Sequence, residues 1–180
     1  MSSTMSRQLK FISDTMLSQT ASGLAGEHIC AASIIARGWR VAMSAQDAVD
    51  IICWHPQTSE MLRVQVKACQ ASRQQSKKSR LSFNLGLGGT KRLPTLADYD
   101  ILACVSSEQR TVWFLPVTDI QVKKLNKPCT FFETPDLESD SWARAVEIIN
   151  EQKHTQSAAM RNNKHRGRAS SNGIISPSNW

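Results

Sequence analysis

The chain has 180 residues, 41% of them hydrophobic, and its 22 Lys and Arg against 15 Asp and Glu leave a formal charge of +7. That length suits one domain with room for a tail, the apolar fraction is at the low edge for a fully packed chain, and the positive excess favours an anionic partner. Five scattered cysteines with no CxxC pair argue against a disulfide framework or a local zinc knuckle and for a reducing cytosol; no apolar run reaches the roughly 18 residues of a membrane span, and no signal pattern opens the chain.

Residues 1–6 are polar and expected to fray. Over residues 7–18, Leu9, Phe11, Ile12 and Met16 recur at helical spacings, and Ser22-Gly23 marks a break. A second helix is expected over 24–37, with Leu24, Ile29, Ala32 and Ile35 on one face and Gly38 as the residue that ends it. Strands follow at 39–43, 49–54 and 60–69, with a turn around Pro56. The third is the clearest: Leu62, Val64, Val66 and Ala68 alternate with Arg63, Gln65 and Lys67. Short links make these three an antiparallel meander.

Residues 71–95 are polar, basic and glycine-bearing, with one alternating piece at 81–85. Gly86-Leu87-Gly88-Gly89-Thr90 lacks the spacing of a phosphate-cradling loop and reads as a turn or flap. Strands at 100–105 and 111–117 come next, then a short helix over 117–125, an edge strand at 129–132 and a helix over 136–152. Trp142, Val146 and Ile149 share a face of that last helix, and Asp136 or Ser139 would cap it. From residue 153 branched and aromatic side chains almost vanish, which predicts a disordered basic tail to residue 180.

Charge is unevenly placed. Residues 61–97 contain no acid and eight cations: Arg63, Lys67, Arg73, Lys77, Lys78, Arg80, Lys91 and Arg92. A polyphosphate would be drawn there, because each neutralised phosphate releases counterions. The competing reading is a solvated loop kept soluble by its lysines.

A second pattern concerns polar groups in apolar surroundings. Glu27 lies inside the second helix, Asp50 interrupts the apolar second strand, and Gln65 and Lys67 share a face of the third. A carboxylate between Ala48-Val49 and Ile51-Ile52 is costly unless paired or metal-bound. Two carboxylates, an amide oxygen and a lysine would together bind Mg²⁺ and steady an attacking water, a set suited to phosphodiester hydrolysis. The competing reading is a structural Asp50–Lys67 ion pair with Glu27 on an exposed helix face. His28 is expected to face away from Glu27, and His55 to be solvated in its turn. Trp54, Trp113 and Trp142 read as core or interface, and Asp98 and Asp100 as turn chemistry.

The ordered run Gly26-Glu27, Ala31, Gly38-Trp39-Arg40-Val41, Val49-Asp50-Ile51-Ile52 and Val64-Gln65-Val66-Lys67 resembles the PD-(D/E)XK nuclease superfamily. Asp98-Tyr99-Asp100-Ile101-Leu102 and Val112-Trp113-Phe114-Leu115-Pro116-Val117 look like its Holliday-junction-resolvase-like branch, so the resemblance spans residues 24–120. Two positions depart from the pattern. Val49 replaces a proline, and Gln65 replaces an acid, a poorer ligand for a hard cation. Q-x-K forms occur among active members, including group I intron homing endonucleases of cyanobacteria, and the Q-V-K triplet is similar to theirs.

The resemblance implies an α/β domain with a restriction-endonuclease-like core, a central mixed sheet flanked by the early helix and the 136–152 helix. It implies Mg²⁺, with Mn²⁺ as a substitute, bound by Asp50, Gln65 and the Val66 backbone carbonyl. Lys67 would be the catalytic lysine, and Glu27 would bind metal through water or assist the base. Arg73, Lys77, Lys78, Arg80, Lys91 and Arg92 would contact double-stranded DNA. The implied activity is that of a site-specific homing endonuclease of an intron or phage-like element, acting in the cytoplasm. A Holliday junction resolvase and a DNA-binding module with a dead site are the alternatives. One site cuts one strand, so a homodimer or homotetramer is expected.

Overall fold

The computed structural model describes residues 19–69 and 80–169; the helix expected over 7–18 and Arg73, Lys77 and Lys78 lie outside them. Helix α1 (Gln19–Ala36) leads into strands β1 (Arg40–Gln46), β2 (Val49–Trp54) and β3 (Met61–Cys69), an antiparallel meander as expected. Strands β4 (Arg80–Asn84), β5 (Ile101–Ser106), β6 (Thr111–Pro116) and β7 (Lys124–Pro128) follow, and helix α2 (Leu137–Ala169) closes the described chain. The main sheet has the order β1-β2-β3-β5-β6, and it is mixed because β3 and β5 run parallel. β4 and β7 form a separate antiparallel ribbon.

Alternation along the strands sorts the sheet into two faces. One, carrying Val64, Val66, Ala68, Ala103, Val105, Val112 and Phe114, meets both helices. Gly26 of α1 sits where a Cβ would fall well inside contact distance of the Ala68 Cβ, and Trp142 of α2 meets the Phe114 and Trp39 rings edge-on at 4.9 and 5.3 Å. The helices are tied to each other where Ser33 Oγ donates to Glu138 at 3.0 Å. α2 also covers the β6 edge: Glu138 accepts the Val112 N–H at 2.7 Å and Ser141 Oγ the Phe114 N–H at 3.1 Å. Those bonds occupy donors that an open edge would offer to another strand.

The opposite face carries Gln65, Lys67, Cys104 and Trp113, and the ribbon lies over it. Leu81 and Phe83 point inward into the core, and Trp113 meets Phe131 edge-on at 4.8 Å.

Five expectations need correction, the first being the break at Ser22-Gly23, through which α1 runs unbroken. α1 buries Cys30, Ala31 and Ile34, whereas Leu24 and Ile35 are 52% and 54% exposed. The helix is apolar or small nearly all round, so its period fits more than one face, and the close contact at Gly26 selects among them. The short helix over 117–125 is a 3-10 turn at Val117–Asp119 followed by β7, and the edge strand at 129–132 is a 3-10 turn at Cys129–Glu133. β7 hides its alternation because an inward position is a lysine. Lys127 lies 4.6 Å over the Trp113 ring and 4.5 Å over Phe131, so its cation rests on aromatic faces. Finally, α2 continues past residue 152 to Ala169. Lys153, expected to open the tail, donates to Asp100 Oδ2 and to the Met61 carbonyl, each at 3.0 Å. No helix among the described residues is long and apolar enough to cross a membrane.

Candidate active site

The β2–β3 register runs from Trp54↔Met61 to Ile51↔Val64 and stops there. The next residue of β2 is Asp50, and its carboxylate takes over the role of a strand. Asp50 Oδ2 accepts the Val66 backbone N–H at 2.6 Å, and it also accepts the Gln65 amide NH₂. The same Gln65 nitrogen lies 3.3 Å from the Val66 carbonyl oxygen. A carboxylate oxygen and a backbone carbonyl therefore converge on one donor group. Gln65 is only 5% exposed, so that donor is shielded from solvent.

Glu27 reaches this place because of the residue before it. Gly26 lets the α1 backbone come down onto Ala68 of β3, two residues beyond Val66. Burial pushes the Glu27 carboxyl above its usual range, and the Asp50 charge adds to that; His28 and Lys67 oppose it. Asp50 is likewise raised by burial, against the pull of the Val66 N–H, Lys67 and Gln65. Glu27, Asp50 and Lys67 thus share one electrostatic neighbourhood. The ion-pair alternative does not hold as stated, because Lys67, half-buried, makes no salt bridge or hydrogen bond among the described residues. Its ammonium is near two carboxylates and committed to neither.

The donors are carboxylates, a carbonyl and an amide. Hard oxygen ligands of this kind suit Mg²⁺ or Mn²⁺ and not a metal that seeks nitrogen or sulfur. Among the described residues no three His, Cys, Asp or Glu side chains converge. The residues fit a divalent cation held with few charges.

The other sequence candidates are distributed as follows. His28 is exposed, and its charge acts on the neighbouring Glu27 carboxyl. His55 is not simply solvated: its ring meets Trp39 edge-on at 5.2 Å. Asp98 does organise a turn, accepting the Thr95 N–H at 2.9 Å and Thr95 Oγ1 at 3.1 Å. Asp100 is more than a turn residue. It is 1% exposed and accepts from the Arg63 N–H at 2.8 Å, the Arg63 guanidinium at 3.2 Å and Lys153 at 3.0 Å.

Of the expected DNA contacts, Arg80 opens β4 and is exposed, and Lys91 is exposed in a tight hairpin closed by the Leu87–Arg92 bridge. Gly86-Leu87-Gly88-Gly89-Thr90 is therefore part of a turn. Arg92 is not a free cation. Its guanidinium forks onto both Asp98 oxygens, with Nη1 at 2.8 Å, and holds that carboxyl far below its usual range. Sequence reading missed the cations at β7, where Lys123 and Lys124 are exposed and Lys127 turns inward, with no acid between residues 120 and 132. That acid-free run was the available signal.

No family model and no curated protein matches the chain. Among solved structures, a bacterial homing endonuclease, I-Ssp6803I, superposes with a TM-score of 0.54 at 18% identity, over 78% of this chain and 99% of that one. The α/β core described here, a five-stranded mixed sheet with two helices on one face, is the fold of an endonuclease.

Proposed function

We propose that this protein is a Mg²⁺-dependent endonuclease that hydrolyses phosphodiester bonds in double-stranded DNA, and within that class a site-specific homing endonuclease of an intron or phage-like element. The observation that carries the proposal is the convergence of Asp50 Oδ2 and the Val66 carbonyl on one point, beside an uncommitted Lys67. Asp50, the Val66 carbonyl and Gln65 through its amide oxygen would hold the cation, with Glu27 acting through water. A divalent cation at such a site polarises a phosphoryl oxygen and lowers the pKa of bound water. Lys67 orients the attacking water and offsets negative charge growing on the phosphate. Arg80 and Lys91 hold the DNA backbone in register, together with Arg73, Lys77 and Lys78. That the homing endonuclease I-Ssp6803I has this fold supports the reading.

A double-strand break needs two sites, so we propose a homodimer or homotetramer; exposed Leu24 and Ile35 on the outer side of α1 supply apolar surface for such contact. Five free cysteines suit a reducing cytoplasm.

The test is a plasmid pool of random inserts, incubated with Mg²⁺, Mn²⁺ or EDTA, with four-way junctions in parallel. Cutting of linear duplex at a shared sequence, only with metal, is expected. Lys67→Ala should lose about 10²-fold or more. Cutting of junctions alone would make the protein a resolvase, and binding without cutting would make it a DNA-binding module.

A further inference from the structure

The ribbon of β4 and β7 has two unlike sides. On β4 the burial alternates with Leu81 and Phe83 inward and Arg80, Ser82 and Asn84 exposed; on β7, Lys124 and Asn126 are exposed. The register places Ser82 opposite Asn126 and Asn84 opposite Lys124. The exposed side is thus a compact block of amides, a hydroxyl and cations, without an acid. None of these side chains makes a hydrogen bond or salt bridge among the described residues, so their donors and acceptors are uncommitted. The inner side is anchored by Phe83 against Phe132 at 5.9 Å and by Lys127 over Trp113. A polar block on a core-anchored two-stranded ribbon is what recognition needs.

We propose that the outward side of the β4–β7 ribbon enters the major groove of duplex DNA and reads base edges, with Ser82, Asn84 and Asn126 as specificity-determining residues and Lys124 as a phosphate contact. The inference rests on the reading of this protein as one that acts on duplex DNA. The B-form major groove admits a two-stranded ribbon, and asparagine amides match the donor and acceptor edge of adenine. Strand residues rise about 3.4 Å each, close to the rise of one base pair, so the four steps from Arg80 to Asn84 cover about four base pairs. The ribbon lies on the sheet face that carries Lys67: the register aligns Lys67 with Cys104 and Cys104 with Trp113, and Lys127 of β7 lies over the Trp113 ring. Groove reading and the scissile backbone are then served by one side of the molecule. The deep, narrow major groove of A-form RNA does not admit such a ribbon.

The experiment is selection of bound duplexes from a random DNA pool by the full chain in EDTA, so that no cutting is required. The parent should enrich a motif. Asn84→Ala and Asn126→Ala should each flatten preference at one or two adjacent base pairs by about tenfold or more, leaving other positions unchanged. Lys124→Ala should weaken all sequences alike and lower the salt slope by about one. Replacing adenine N7 by carbon, a change in the major groove alone, should weaken binding of the parent at the pairs that Asn84 and Asn126 read. An unchanged motif in both asparagine variants, no loss on replacing adenine N7, or equal binding of double-stranded RNA overturns the inference. A ribbon-dependent motif without metal-dependent cutting would leave the ribbon reading standing and remove the nuclease. Cutting with a motif indifferent to the ribbon would do the reverse.

Discussion

Asp50 was visible in the sequence because a charge inside an apolar strand has to be compensated. What could not be seen was the form of compensation: the Val66 N–H and the Gln65 amide bond the carboxylate directly, while Lys67 acts on it only through space. Bonds made by a backbone donor leave no trace in residue type. Gln65 looked only like a weakened ligand, yet its NH₂ stands between two oxygens. The raised carboxyls fix the sign of two pH effects. A native carboxyl with a raised pKa binds its proton more tightly than the unfolded one, so its contribution to stability is greatest below the unfolded value of about 4 and falls as pH rises through the native one. Asp50→Asn keeps an acceptor for the Val66 N–H and removes the charge. Thermal unfolding at pH 7 should give this variant a Tm at or above the parent's, the difference closing toward pH 4, while cleavage is lost. Cleavage by the parent should in turn fall as pH drops through the raised carboxyl range, and added Mg²⁺ should move that fall to lower pH, because cation and proton compete.

At the scale of elements, β1 to β3 and β5 to β6 were legible from alternation and apolar runs, since burial on one or both faces writes itself into the chain. α1 was legible as a helix but not in its facing, and β7 was lost because Lys127 occupies an inward position on aromatic rings. The contact that sets the facing of α1 is Gly26 on Ala68. Two effects oppose each other in Gly26→Ala. Helix propensity favours alanine by about 1 kcal/mol, and overpacking against the sheet costs about 1–3 kcal/mol. The clash should win. Urea unfolding should show a net loss, cleavage should drop as Glu27 is carried off, and Ala68→Gly in the same chain should recover most of the activity. A stabilised, fully active Gly26→Ala would show that the helix does not depend on this approach.

Over the whole molecule, the acid-free stretch of 61–97 correctly marks where cations gather but not which are available. Their partners lie just beyond it. Asp98 takes Arg92, and Asp100 takes Arg63 together with Lys153 from α2. Charge counting along a chain does not reveal pairing through space, so the tail also seemed free where its first lysine is anchored. Asp100 joins β3, β5 and α2. Its removal leaves Arg63 without its buried partner and should cost about 3 kcal/mol in urea unfolding, whereas Lys153→Met, at a half-exposed pair, should cost no more than about 1 kcal/mol. Crystals soaked in Mn²⁺ show, through the metal's anomalous scattering, whether a cation sits at the point where Asp50 and Val66 converge. A peak in contact with the Asp50 carboxylate and the Val66 carbonyl is expected, with the Gln65 NH₂ turned away. A peak elsewhere, or a Gln65 amide still bonded to Asp50 at saturating Mn²⁺, would contradict a cation site there.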